Sequence, residues 1–243
     1  MNLHSHSILY TLPACFLLLA GAIWSWRKRK LTPAGVITGV ITGAIIFIGT
    51  GYFGLITMTS FFVVGSGATK WQANKKTDVS NEHENKTGRT AAQVLANSGC
   101  AALLGILALI WPTHLDLILL MMAGAFASAT ADTLSSELGM VYGRRFYNIL
   151  TFKKDQRGLD GVISLEGTLI GLMGTFSIAT IYALFLGWNI LVLWVVIAGF
   201  TGNIVDSVLG ATLERKRLVG NNVVNFLNTA AGAGVCWVLW LFN

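Results

Sequence analysis

The stretch Met121-Met-Ala-Gly-Ala-Phe-Ala-Ser-Ala-Thr-Ala-Asp132-Thr-Leu-Ser-Ser-Glu137-Leu-Gly139 decides the fold. It closes an apolar run that begins near residue 115 and opens onto a basic loop. A run of that length crosses a hydrocarbon core as a helix. An ionisable side chain inside such a segment is costly and is kept where it faces a protein interior, a water-filled cavity or a ligand. Here two carboxylates and two serines fall together, and a second apolar run ends in almost the same way, at Asn203-Ile-Val-Asp206-Ser-Val-Leu-Gly210. The two segments are expected to build one polar site near one face of a membrane, and that site to handle phosphate.

The rest of the chain agrees with a membrane setting. Over 243 residues, 54% of side chains are hydrophobic and 12% charged, with a mean hydropathy of +0.65, which excludes an ordinary soluble domain. The reading is an all-α, polytopic transmembrane helix bundle forming a single domain over 1–243. Apolar runs fall at about 8–26, 34–50, 52–69, 91–111, 115–138, 163–186, 189–211 and 222–242, giving about eight spans. The second and third are short, so six spans plus a re-entrant hairpin at 34–69 is the alternative. The first run has its basic residues after it, Arg27-Lys-Arg-Lys30, and is expected to be a retained span, not a cleaved signal. Cys15, Cys100 and Cys236 all lie in apolar runs and are odd in number, so they describe no disulfide framework.

All 17 lysines and arginines fall in four groups: 27–30; Lys70, Lys75, Lys76, Lys86 and Arg89; Arg144, Arg145, Lys153, Lys154 and Arg157; and Arg215-Lys-Arg217. With eight spans every group lies on one side, which the positive-inside rule makes cytoplasmic, leaving both termini external. The net charge of +6 is then a topology signal, and no nucleic-acid partner is expected. Residues 70–90 read as a mobile cytoplasmic loop and 140–162 as a basic cytoplasmic loop. Within the first, Glu82-His-Glu84 only imitates a metal cluster, and Asn85-Lys-Thr87 matches the glycosylation pattern on the wrong side of the membrane. Gly35, Gly39 and Gly43 recur every fourth residue, a face for close helix packing.

Positions three and four apart share a helix face. Asp132 therefore lies with Ser128, Ser135, Ser136 and Gly139, Asp206 with Gly202, Asn203 and Gly210, Arg89 with Gln93 and Asn97, and Asn221 with Asn225, Asn228 and Thr229. Three helix–loop–helix units echo one another as internal repeats, and their polar stripes are expected to converge on one cavity. At 1.5 Å per residue the two aspartates lie roughly 10–12 Å inside their helix ends. That is the cytoplasmic third of the bilayer, nearer the head groups, whereas transporter sites commonly lie near the midplane. Glu137 is about 140° around the helix from Asp132. It is expected either to pair with the basic loop that follows or to reach the site from an unwinding helix end.

Magnesium is typically held by one or two carboxylates plus phosphate oxygens and water. Asp132 and Asp206 are the candidate ligands, with Glu137 or Glu166 completing the site and Lys70, Lys153, Lys154 and the arginines complementing phosphate. Two readings remain beside phosphoryl transfer: a transporter of a phosphorylated or anionic metabolite, and a non-catalytic lipid-binding protein whose carboxylates are paired structurally.

The motifs Gly67-Ala-Thr69-Lys70, Gln93-Val-Leu-Ala-Asn97, Ala131-Asp-Thr-Leu-Ser-Ser136-Glu-Leu-Gly139, Gly161-Val-Ile-Ser164-Leu-Glu166-Gly-Thr168, Asp206-Ser-Val-Leu-Gly-Ala-Thr212 and Asn222-Val-Val-Asn225, in this order, resemble the integral-membrane family called domain of unknown function ninety-two, which includes a plant phytyl-phosphate kinase. The resemblance covers nearly the whole chain. It implies phosphoryl transfer from a nucleoside triphosphate to an isoprenyl monophosphate, with Mg2+ on Asp132 and Asp206. Thr69, Lys70, Gln93, Asn97, Ser136, Lys153, Lys154, Ser164, Asn222 and Asn225 would then contact substrate or phosphate. Asp132, Gly139, Lys153 or Lys154, and Glu166-Gly167 also look distantly like CTP-dependent lipid kinases, which makes CTP the expected donor.

Overall fold

The computed structural model describes residues 8–76 and 88–242. Seven helices among the described residues are long and apolar enough to cross a membrane. They are α1 (Ile8–Arg27), α2 (Pro33–Lys70), α3 (Ala91–Ile110), α4 (Leu115–Tyr142), α5 (Leu165–Leu186), α6 (Ile190–Leu209) and α7 (Asn221–Trp240). The sequence counts about eight runs, and the difference lies entirely in α2.

Gly51 interrupts α2 with φ 64° and ψ −150°, a backbone that side-chain-bearing residues avoid. The chain turns back there. Lys30, just before α2, donates its ammonium to the Ser66 carbonyl at 2.9 Å, and Lys70 at the far end of α2 reaches the Lys28 carbonyl at 3.4 Å. The two ends of α2 are therefore neighbours, and the helix is a hairpin with limbs at 33–50 and 52–70, each roughly 27 Å long. At its tip the Tyr52 hydroxyl donates to the Tyr10 carbonyl near the start of α1, at 2.6 Å. Phe53 meets Tyr182 and Phe185 near the end of α5 edge to face. The tip thus lies level with the opposite ends of its neighbours. Counting both limbs, the described residues make eight helical passes, as the run count predicts, the second and third joined as a hairpin over 33–70.

Local chemistry sets the helix starts. Thr32 accepts from the Gly35 amide ahead of Pro33. Thr90 and Gln93 form a reciprocal capping box, and Ser164 accepts from the Gly167 amide. Each satisfies amides that the first helical turn leaves without partners.

The bundle is built round α4. From Ile118 to Ala131 that helix is almost wholly buried, and most of the segment is alanine, glycine, serine or threonine. In a bilayer, helices associate through close packing and not through the hydrophobic effect. Here a Cβ added at Gly124 would lie 2.6 Å from the Gly232 carbonyl of α7, one at Gly199 of α6 would lie 2.8 Å from Ala127 Cβ, and one at Gly171 of α5 would lie 2.9 Å from the Ala131 carbonyl. Three helices therefore touch α4 nearly backbone to backbone. By contrast α1 packs chiefly on α2 and presents Leu9, Phe16 and Leu19 outward, the expected surface of a segment embedded in lipid.

The basic segments gather at one face. Leu31 bridges to Arg89, Arg157 donates to the Lys75 carbonyl at 3.2 Å, and Arg215 pairs with Asp155 at 2.9 Å. The segment 140–162 is more structured than a plain loop. Its first residues extend α4 to Tyr142, and β1 (Tyr147–Asn148) pairs antiparallel with β2 (Val162–Ile163), Tyr147 opposite Ile163. At 70–90 the described residues hold a short 3-10 turn, Ala73–Lys75. Glu82-His-Glu84 and Asn85-Lys-Thr87 lie outside the described residues.

If the contact with α4 sets the fold, crowding it has a measurable cost. Gly199→Val should lower the Tm of detergent-solubilised protein, consistent with an overpacking cost of about 1–3 kcal/mol. Gly234→Val, where a Cβ meets nothing within 4 Å, should leave the Tm almost unchanged.

Candidate functional site

Three helix ends and three helix starts enclose a cavity of about 610 Å³ at the basic face, within the usual range for small-molecule sites. The end of α2 contributes Ser66, Thr69 and Lys70, and the start of α3 contributes Gln93 and Asn97. From the end of α4 come Asp132, Ser136 and Glu137, and from the start of α5 Ser164 and Thr168. The end of α6 supplies Asn203 and Asp206, and the start of α7 supplies Asn221 and Asn225. The polar stripes read from helical spacing thus line one space.

Asp132 and Asp206 are neighbours across the α4–α6 contact, and their carboxyls act on each other directly. Both are half-buried and open only to the cavity. Two carboxylates this close repel unless a proton or a cation lies between them. Their neighbours hold them there. The Asn228 side-chain amide donates to Asp206 at 3.2 Å, and the Asn228 side-chain oxygen accepts from the Ser128 hydroxyl. The Ser135 hydroxyl donates to the Asn203 side chain at 2.9 Å. Ser128, Asn203 and Asn228 therefore tie α4 to α6 and α7 and fix the angle at which the acids meet.

The α6 helix does not stop at Gly210. It continues through a π-helical turn, Gly210–Glu214, a feature that concentrates at functional sites and that brings Glu214 into the lining. Asp160, in the turn before β2, also lines the cavity. Burial pushes its carboxyl above the ordinary range, with Arg215 pulling the other way.

Glu137 has an unforeseen partner. The α4 helix stays wound to Tyr142, and Glu137 pairs at 2.7 Å with Lys76, from the earlier basic loop and not from the one that follows. Lys76 is only 3% exposed and also donates to the carbonyls of Ala68 and Thr69. This anchor fastens the end of α2 to α4. Its residues are far apart in sequence, so no local pattern reveals the pairing.

Other predicted residues fall outside the cavity lining. Lys153 and Lys154 are exposed on the strand-bearing loop, and Asn222 is exposed at the start of α7. Glu166 accepts from the Arg144 amide at 3.3 Å. Gln93 lines the cavity while its side-chain oxygen accepts from the Thr90 amide at 2.8 Å, so it serves the helix cap as well. The cavity also takes in Arg29, Lys30 and Arg89. In the sequence, Lys30 signals only topology.

The donor set suits a cation that arrives with its own oxygen ligands. Among the described residues no cluster of three or more histidine, cysteine, aspartate or glutamate side chains forms. Two carboxylates remain, the number magnesium uses when phosphates supply the rest.

A polar cavity, framed by glycine-packed transmembrane helices and carrying a pair of aspartates and further acids beside several bases, defines an integral multi-pass membrane protein with a charge-lined site at one face. Comparison with known proteins gives the family: the chain belongs to the family described as Integral membrane protein DUF92, matched over residues 16–233. It is 35% identical over 213 residues to an uncharacterized membrane protein of Methanocaldococcus jannaschii, covering 88% of this chain and 87% of that one. It is 32% identical over 230 residues to an uncharacterized membrane protein of Synechocystis, covering 90% and 86%. It is 30% identical over 220 residues to Protein VTE6, chloroplastic, of Arabidopsis thaliana, covering 87% of this chain and 66% of the relative. No solved structure matches.

The Lys76–Glu137 anchor can be weighed by a double-mutant cycle. Lys76→Met and Glu137→Gln, singly and together, should give a coupling energy of about 1–3 kcal/mol in thermal or denaturant unfolding. A coupling near zero would mean that the pair is incidental.

Proposed function

We propose that the protein is a membrane-embedded isoprenyl-phosphate kinase, transferring the terminal phosphoryl group of a nucleoside triphosphate, CTP by preference, to an isoprenyl monophosphate at the cytoplasmic leaflet. One observation carries the reading. Two aspartates from separate transmembrane helices meet in a polar cavity that is also lined by Lys30, Lys70, Arg29 and Arg89, at the basic face of the bundle. It is also the activity that the family resemblance implies.

In the reaction an oxygen of the acceptor monophosphate attacks the terminal phosphorus. The bond from that phosphorus to its bridging oxygen breaks, and the nucleoside diphosphate leaves with the electron pair. The acceptor is already an anion, so little general-base help is needed, and catalysis is positioning and charge neutralisation. Asp132 and Asp206 would hold Mg2+, whose contribution when bound is to neutralise the triphosphate oxygens. Asn228 and Asn203 keep the acids in register, and Lys70, Thr69, Asn97, Ser136, Ser164 and Asn225 are placed to orient phosphates and nucleotide.

The cavity lies at one face, and beneath Asp132 the chain from Ile118 to Ala131 is packed against its neighbours almost without exposure.

The test is transfer of labelled phosphate from CTP or ATP to phytyl, farnesyl or geranylgeranyl phosphate by protein in proteoliposomes with Mg2+. Product should form, and Asp132→Asn and Asp206→Asn should each lower kcat by about 10²-fold or more without loss of Tm. Absence of product with every acceptor, or full activity in both variants, would contradict the reading.

A further inference from the structure

The cavity is electrically divided. Asp132, Asp206, Asp160 and Glu214 stand on the α4–α6 side, whereas Arg29, Lys30, Lys70 and Arg89 stand where the α1–α2 loop, the end of α2 and the start of α3 meet. The basic wall is held in place by backbone. The Arg89 amide donates to the Lys30 carbonyl at 2.9 Å, and the Thr32 amide donates to the Arg89 carbonyl at 3.0 Å. These two bonds pin Lys30 and Arg89 side by side although they are far apart in sequence.

Their charges are under-compensated. The Arg89 guanidinium is half-buried, lies over the Phe61 ring at 5.9 Å, and forms no ion pair with a carboxylate among the described residues. Asp132 and Glu137 are its acidic neighbours, but Glu137 is engaged by Lys76. The Lys30 ammonium spends one donor on the Ser66 carbonyl, and burial together with the Lys70 and Arg89 charges pushes it below its ordinary range. Like charges held together by a rigid backbone call for an anion between them. A planar guanidinium beside two ammonium groups suits the three oxygens of a phosphate monoester.

Position identifies which phosphate. The basic wall directly follows α1, the span with the smallest buried share among the described residues. Trp24 and Trp26 are exposed near its end, the residues enriched at head-group level, and Lys30 lies over the Trp24 ring at 5.8 Å. A metal-bound triphosphate brings cationic charge with it, whereas a phosphate monoester brings none and depends on side chains for neutralisation.

We infer that Arg29, Lys30, Lys70 and Arg89 form a separate subsite for a phosphate monoester carried on a membrane lipid, distinct from the Asp132–Asp206 subsite. This rests on the proposed function in taking the monoester to be the acceptor, but its binding step is independent of catalysis. Lys30 and Arg89 are then the residues that decide acceptor affinity.

Direct binding separates the two claims. Full-length protein in nanodiscs is titrated with geranylgeranyl monophosphate, and in parallel with inorganic phosphate, without nucleotide. Lys30→Met and Arg89→Gln should each weaken binding of the prenyl phosphate at least tenfold, Lys30→Arg should restore it, and Lys153→Met, outside the cavity lining, should leave it within about twofold. Saturation by the prenyl phosphate at concentrations where inorganic phosphate does not compete identifies a lipid-borne monoester, and equal binding of both identifies a site for free phosphate. Unchanged affinity in Lys30→Met and Arg89→Gln proteins of normal Tm, or an equal loss of binding in Lys153→Met, overturns the subsite. Binding that depends on Lys30 and Arg89, without any phosphoryl transfer, would remove the kinase reading and leave the subsite standing.

Discussion

Everything in this molecule depends on how closely three helices can approach α4. Between Ile118 and Ala131 that helix carries little more than methyl groups and hydrogens on much of its surface, and α5, α6 and α7 meet it through Gly171, Gly199 and Gly232. In lipid such contact replaces the water-driven core of a soluble protein. It also sets the distance between Asp132 on α4 and Asp206 on α6. A bulkier seam would hold the two carboxyls apart, and the cavity would have two separate acids instead of one pair.

The same seam explains why the polar groups can be tolerated. Ser128, Ser135, Asn203 and Asn228 sit where the helices are closest and satisfy one another across the interfaces. Acids, amides and hydroxyls are therefore paired or turned toward the cavity, and no buried side-chain nitrogen or oxygen among the described residues lacks a partner. The π-helical turn after Asp206 and the small strand pair before α5 close the cavity rim from the basic face. Structure and charge together give a pocket that is acidic on one wall and basic on the other.

Much of this is legible in the sequence, and the reasons are physical. A residue such as Asp132 in an apolar run declares itself by cost, and three-and-four spacing carries Ser135, Asn203 and Asn225 to the same cavity because helices have one period. Eight runs correspond to eight passes because Gly51 folds α2 back on itself, although no sequence pattern distinguishes that sharp turn from a kink. Long-range pairing is not legible in this way. Lys76 reaches Glu137 across two helix ends, and Lys30 stands beside Arg89 only because the α1–α2 loop and the start of α3 share backbone hydrogen bonds. Lys30 therefore reads as a topology marker, and Lys153 and Lys154 read as phosphate ligands though they lie outside the cavity lining. A lysine's identity says nothing about which way a loop turns it.

The central claim is that Asp132 and Asp206 act together on one phosphate-bound cation. Electron paramagnetic resonance of Mn2+ with protein in nanodiscs and a nucleoside triphosphate tests it most directly. The account predicts a single bound ion with phosphorus coupling that is lost in Asp132→Asn and in Asp206→Asn alike. Bound Mn2+ that persists unchanged in both variants, or that responds to only one of them, would contradict it.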